Sequence, residues 1–492
     1  MGEGLDVCRF EGSAVTAPSR LVAQGRGTGV ALLALSILFA SASALSQNQS
    51  SADSPYYGSV TNAAATAGVM RLSLDDAIRM GLEKNLALIL SRRNQGIAHA
   101  RTIQTMAPLL PTITGTASKA LHQYNLAAQG FKPGFIPGLP AGAFPLVVDV
   151  NVTNAQANYS QTLLDASQIA NYQSARAGEQ AAFFDAQSSR GLVVLTVGTT
   201  YLRAVAAASE VENAQALMRT DEALLKQAVE KHKAGVVANL DELRARVAYQ
   251  SQQQAVISAE NNFEKAKIAL NREIGLAAEQ QLALSDATPY QDLTTITVED
   301  ARRQAYSNRQ DYLAMQAQVK AALLNRQAAK YERLPTITFG GNYGVTGVAN
   351  GIYHGTFAAV GTLNLPIFAE ARLRGDRSVA EAQLGRMMSQ LADMRAKIDA
   401  QLRYSLLDVQ SSEVLVRVAQ SNVELATKTL EQVTDRFQAG IDDNLPVVEA
   451  QGTIASAQMQ LVESLFRYNQ AKLGLARNLG VVDSQYKVYL GR

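Results

Sequence analysis

The sequence holds one cysteine, no tryptophan, four histidines and only 18% charged residues among 492. Each shortage removes a class of function. Cys8 precedes the first apolar run, so a chain cleaved after that run carries no thiol. Such a chain has no disulfide framework, no cysteine metal site and no cysteine nucleophile. His99, His122, His232 and His354 are scattered, with no pair at metal-ligand spacing. A formal net charge of +2 gives no basic footprint for nucleic acid. The chain lacks a phosphate-binding glycine loop, a nucleophile elbow and a metalloprotease signature. Acid pairs such as Asp75-Asp76 are explained as helix starts. The residues therefore point away from an enzyme and call for no cofactor, and no energy source is encoded.

The N-terminus has the features of an export signal, read over 1–44. Arg20 and Arg26 precede an apolar run from Val30 to Ala40, and Ala42-Ser43-Ala44 offers small residues for cleavage. The run is shorter than the roughly 20 residues of a spanning helix. Cys8 lies on the wrong side of it for lipoprotein acylation. After Ala44 no segment reads as a membrane-spanning helix, so a membrane role would be strand-based or peripheral. Residues 45–70 read as a polar linker.

The chain is written twice. Leu72-Ser73-Leu74-Asp75-Asp76-Ala77 returns as Ile296-Thr297-Val298-Glu299-Asp300-Ala301. In the same register Leu110-Pro111-Thr112-Ile113-Thr114 falls on an identical Leu334-Pro335-Thr336-Ile337-Thr338. Further on, Ala234-Gly235 with Asn239-Leu240 recurs as Ala439-Gly440 with Asn444-Leu445. In that second register Ala266-Lys267, Leu270, Arg272 and Gly275 recur as Ala471-Lys472, Leu475, Arg477 and Gly480. Two offsets held over such distances mean duplication. The repeats span 71–276 and 296–482, with a connector at 277–295 and a tail at 483–492.

Each copy predicts a helix, two strands, a very long helix, a turn and a returning helix. The first helix starts at a capping hydroxyl and ends before Pro111 or Pro335. After Pro335, Ile337, Phe339, Tyr343 and Val345 alternate with Thr336, Thr338, Gly340, Asn342 and Gly344. That alternation fits a barrel strand with apolar residues outward and a wet interior. Thr356 to Leu365 supplies the return strand. In the first copy Val148, Val150 and Val152 alternate, then Ala155, Ala157 and Tyr159 restart out of phase, which predicts a bulge. Pro133, Pro137, Pro140 and Pro145 mark the loop between the strands of the first copy as irregular and exposed.

From about Asp165 to His232 there is no proline, and a helix of that length reaches on the order of 100 Å. Ala371 to Phe437 repeats it. The return helix of the second copy carries Leu445, Val448, Gly452, Ala455, Met459, Val462 and Phe466 at heptad spacing, a coiled-coil seam. In the first copy Gln250 and Gln254 interrupt the pattern. Four strands cannot close a transmembrane barrel, and an open edge is not tolerated in lipid. The strands must be shared, as eight between two copies or twelve among three.

The duplicated pattern, the Leu-Pro-Thr-Ile strand entries and the two tip turns resemble the outer-membrane efflux protein (TolC) family over residues 70 to 482. The resemblance implies a mainly α fold with a small transmembrane β part. It consists of duplicated coiled-coil hairpins and four strands per chain, which build a trimeric twelve-stranded barrel and a periplasmic helical tunnel. It implies an exit duct of an efflux or type I secretion system, located in the outer membrane with a periplasmic extension. The partners it implies are two further copies of the chain, outer-membrane lipid, a periplasmic adaptor and an inner-membrane transporter. The adaptor-docking tips would be Ala234, Gly235, Val236, Asn239, Leu240 and Asp241, with Ala439, Gly440, Asn444 and Leu445. The plain alternative is that these residues only end one helix and start another. By resemblance Glu449 would line the entrance as a three-fold ring of acids that favours cations. Its alternative is a solvated helix-face glutamate. Asp241 matches another entrance acid of the family, or is a first-turn helix acid. Links between tips would need a base near Asp442, yet Asp442-Asp443 is acidic. The rival functions are a periplasmic coiled-coil scaffold without a barrel and an exported hydrolase, for which no clustered acid, base or nucleophile is found.

Overall fold

A computed structural model describes residues 58–491 except 61–63, 67, 139, 141, 287–289, 294–295 and 349–351. The export signal and Cys8 fall outside the described residues. Strand β1 (Met70–Leu72) leads into helix α1 (Leu74–Lys84). The Ser73 hydroxyl caps α1 by accepting from the Asp76 amide at 3.2 Å, with Asp75 and Asp76 in the first turn. One helix is expected from here to Pro111, but two are found. The chain turns extended at Asn85, whose side chain accepts from the Ala87 and Leu88 amides and so starts α2 (Leu86–Met106). Then come β2 (Thr112–Asn125), β3 (Val147–Leu164), α3 (Ala166–Lys233), α4 (Asn239–Ile274) and β4 (Leu282–Leu284). The second copy repeats the order as α5 (Val298–Asn308), α6 (Gln310–Tyr331), β5 (Thr336–Val348), β6 (Ile352–Asn364), α7 (Glu370–Gln438) and α8 (Leu445–Asn478). A final α9 (Val482–Leu490) follows. Thr297 caps α5 as Ser73 caps α1, and the helix breaks again, at Arg309.

The four long strands form one antiparallel sheet in the order β2-β3-β5-β6. Its register brings residues of equal parity onto one face across all four strands. The odd face carries Ile113, Tyr159, Phe339, Tyr343, Phe357 and Leu363. The even face carries Thr114, Asn158, Asn342 and Thr356 among its residues. The bulge expected between Val152 and Ala155 is absent: β3 pairs with β2 without interruption from Val147 to Ser160. The irregularity lies instead between Thr162 and Leu164, against β5. The change of phase is an exchange of polarity between faces. Near the loop the even face turns apolar in the row Ala120, Val152, Val348 and Ile352, while Lys119, Asn151 and Asp149 take the odd face.

α3 runs for 68 residues and α7 for 69, close to the expected bounds. Asp165 caps α3 through the Gln168 amide at 2.9 Å. The main core gathers α1, the middle of α3, α7 and the C-terminal ends of α4 and α8 around Leu74, Val197, Leu270, Ile398 and Leu473. One expectation is corrected here. By length and composition α3 does contain a window apolar enough to cross a bilayer, but 61% of it is buried within the chain. Its apolar character is explained by the core around Val193, Val197 and Tyr201. The repeated Ala-Lys pair also finds its reason. Lys267 lies 4.8 Å over the Phe263 ring and Lys472 lies 4.4 Å over the Tyr468 ring, one helical turn earlier in each copy. Lys472 donates to the Gln291 carbonyl at 3.1 Å, and burial pushes its ammonium down to about 8.

The seam expected on α8 holds at Val462 and Phe466 and is displaced nearer the tip. There the buried row is Val447, Ile454 and Ala457, whereas Leu445, Gly452 and Met459 are exposed and Val448 and Ala455 half-buried. α4 behaves alike: Asp241, Ala245 and Val256 are buried, and Leu240, Leu243, Val247 and Ile257 form an exposed stripe. On both return helices the more regular apolar stripe is the less buried one near the tip.

Candidate functional site at the helical tips

The two tip turns share one backbone solution. In the first, Ala234, Gly235 and Val236 donate to the carbonyls of Glu230, His232 and Lys231 at 3.0, 2.9 and 2.9 Å. In the second, Ala439, Gly440 and Ile441 donate to those of Asp435, Phe437 and Arg436 at 2.9, 3.2 and 3.0 Å. Gly235 and Gly440 have φ of +70° and +73°, the left-handed geometry that glycine supplies at a helix end. Val236, Leu240 and Ile441 project into solvent.

The remaining tip residues part company. Asn239 is exposed in the first turn of α4. Its repeat partner Asn444 is fully buried, and its side-chain amide donates to the Asp241 carbonyl at 2.7 Å. Asp241 is also buried, with its carboxylate 3.6 Å from Arg244. Leu445 receives a local cap, its amide donating to Asp443 Oδ1 at 3.1 Å. Glu449 is exposed and lines a polar groove between α7 and α8 with Asn422, Thr429 and Ser456.

The expectation that the acidic Asp442-Asp443 pair lacks a base is corrected. Arg436 pairs with Asp442 at 2.6 Å, which holds that carboxyl below its ordinary range. Arg244 reaches from α4 to Asp443 at 3.1 Å. The Lys231 ammonium sits 4.1 Å over the Phe437 ring and 3.4 Å from the Phe437 carbonyl. Leu224, Ala228, Ala245, Phe437 and Val447 pack beneath these ties. The hairpins of one chain are thus joined at their ends by an ion pair, a buried amide and a small apolar cluster. Arg244 had a sequence signal, standing three residues after Asp241. The pairing with Asp443 had none, because it is made across 199 residues.

Between the hairpins runs a groove of about 520 Å³, lined from α3 by Leu217 and Asp221, from α4 by residues including Leu243 and Arg244, and from α8 by residues including Val448 and Gln451. Among the described residues no group of three or more His, Cys, Asp or Glu could hold a metal ion.

Comparison with known proteins adds the following. Residues 301–481, inside the second repeat, match the family model described as outer membrane efflux protein. The pyoverdine export outer membrane protein OpmQ of Pseudomonas aeruginosa is 24% identical over 412 residues, covering 83% of this chain and 85% of its own. Outer membrane protein TolC of Escherichia coli is 20% identical over 368 residues, covering 69% and 71%. The crystal structure of the Campylobacter jejuni CmeC outer membrane channel matches with a TM-score of 0.70 at 17% identity, covering 83% of this chain and 86% of that one.

Proposed function

We propose that the chain, whose second repeat matches the outer membrane efflux protein model and which is similar to OpmQ over most of its length, is the exit duct of a tripartite export system. It conducts cargo passively from an inner-membrane transporter, through a periplasmic adaptor, to the exterior. The observation that carries this reading is the sheet. Below the loop end one face is apolar and exposed and the other is rich in Thr and Asn, and the outer edges of β2 and β6, 14 and 13 residues long, have no strand partner among the described residues. A long apolar edge left unpaired is an aggregation site in water and is not tolerated in lipid. Three copies bring twelve strands, which close the edges with the odd face toward lipid and the even face around a wet lumen. A scaffold without a barrel would leave Ile113, Tyr343 and Phe357 in water for no gain.

The helices continue from that barrel, and the tips form the periplasmic mouth. Val236, Leu240, Ile441 and Leu445 are the exposed apolar residues there that an adaptor would cover. Three Glu449 carboxylates around the mouth give a ring that favours cations. No catalytic role is assigned. The export name of OpmQ makes pyoverdine the first cargo to test. Reconstitution of the purified protein in planar bilayers should give discrete, cation-preferring channels. A protein that assembles in the outer membrane yet conducts nothing in either voltage direction contradicts the duct.

A further inference from the structure

The groove between the two hairpins is built by one chain and depends on neither the barrel nor the trimer. Its walls are hydrocarbon: Leu217 from α3, Leu240, Leu243 and Val247 from α4, and Val448 and Ala455 from α8. In these walls stand two buried acceptors. Asp221 and Gln451 are each only 6% exposed, and Asp221 Oδ1 and Gln451 Oε1 have no hydrogen-bond partner among the described residues. A buried carboxylate without a partner is costly, and the cost disappears when a cation or donor is supplied. The charged and titratable residues lining the groove are Asp221 from α3 and Arg244 from α4, with none from α8. Arg244 does not serve Asp221: it is engaged with Asp443 at 3.1 Å and Asp241 at 3.6 Å. Nor does the duplication explain the acid. The residue at the same distance before the second tip glycine is Ala426, packed with Leu217, Ile454 and Ala457.

We propose that this groove is a binding site for an organic cation carried on an apolar body, with its ammonium or guanidinium on Asp221, a further donor to Gln451 and its hydrocarbon against the leucines. The chemistry is that of a pocket with apolar walls and a few polar groups that fix orientation. Desolvation raises Asp221 to about 6, so its charge is present at neutral pH and fades on acidification. Two sources could bring such a cation: a free amphipathic amine, or a lysine or arginine on a helix of a partner protein.

The test uses the full-length protein in detergent and isothermal titration. In the first arm, 4-phenylbutylamine at pH 7.5 should bind at least tenfold more tightly than uncharged 4-phenylbutanol. At pH 5 roughly a tenth of Asp221 would be ionised, and the amine should weaken about tenfold. In Asp221→Asn the amine should bind no better than the alcohol. In the second arm, an amphipathic helical peptide with one central lysine is compared with its norleucine twin. Binding of the lysine peptide but not of the free amine assigns the cation to a protein side chain. Both arms are read only on variants that keep the wild-type oligomer and helical circular dichroism, and Asp221→Leu serves if Asp221→Asn does not. Amine and alcohol binding alike together with indifference to lysine, or preferences that survive loss of Asp221, would overturn the proposal.

Discussion

The two tips have one backbone and opposite charges. Gly235 and Gly440 close their helices with matching hydrogen bonds, so the duplication kept the geometry. Counted from those glycines, Arg244 of the first copy stands where the second has Glu449, and Asp221 stands where the second has Ala426. The base of the first tip is spent within the chain, on Asp443 and Asp241. The acid of the second is exposed. Geometry serves both hairpins equally, while charge gives one the task of joining the tips and leaves the other to face solvent.

Four experiments break or sharpen that comparison. The largest effect is expected from proline at the glycines. Proline fixes φ near −65° and has no N–H, so Gly235→Pro loses the bond to the His232 carbonyl and Gly440→Pro the bond to that of Phe437. Export should fall to background in both while the oligomer persists in detergent. Wild-type export in either variant would show that its tip does not dock.

Asp221 gives the next largest effect. Its carboxyl, ordinarily near 3.8, is raised to about 6 by burial, so between those values the folded chain binds a proton that the unfolded chain lacks. Stability therefore falls as pH rises through that window, then stays low above it. Asp221→Asn should stabilise the protein by up to about 3 kcal/mol at pH 7.5, with little gain left below pH 4. The reciprocal Ala426→Asp should destabilise at pH 7.5. Thermal unfolding followed by circular dichroism at both pH values checks the pair.

Arg244→Ala should cost about 1–3 kcal/mol: its link to Asp443 is partly exposed and worth little, but its loss leaves the buried Asp241 carboxylate without the cation 3.6 Å away. Its mark would be functional: looser tips and a larger single-channel conductance. Unchanged conductance would mean that the tie within the chain does not hold the mouth. Glu449→Gln should leave stability alone and only lower the preference for cations over anions, measured as a reversal potential under a salt gradient.

The duplication, the strand faces and the tip turns were legible because each rests on local pattern. Gly440 needs its left-handed φ whatever surrounds it, and Ile337 to Val345 alternate because a strand does. What failed to show was decided by partners. The breaks at Asn85 and Arg309 interrupt helical segments that otherwise read as continuous, and only the extended backbone at each reveals them. The valines at 148, 150 and 152 looked like a change of register because they are apolar on a face that is polar below them. On α8 the clean heptad of Leu445, Val448, Gly452 and Ala455 was read as the seam, yet it borders the groove and solvent. Periodicity identifies an apolar stripe without saying what covers it. The Arg244–Asp443 link was likewise invisible, because neither residue has a local reason to meet the other.

The central claim is that four strands of one chain are a third of a closed barrel. The most direct measurement is the native mass of protein extracted in mild detergent from an outer-membrane fraction, before and after heating. The account predicts a heat-sensitive species of three chains that dissociates to one chain of at most 52.7 kDa. A water-soluble monomer released from the periplasm without detergent would contradict it.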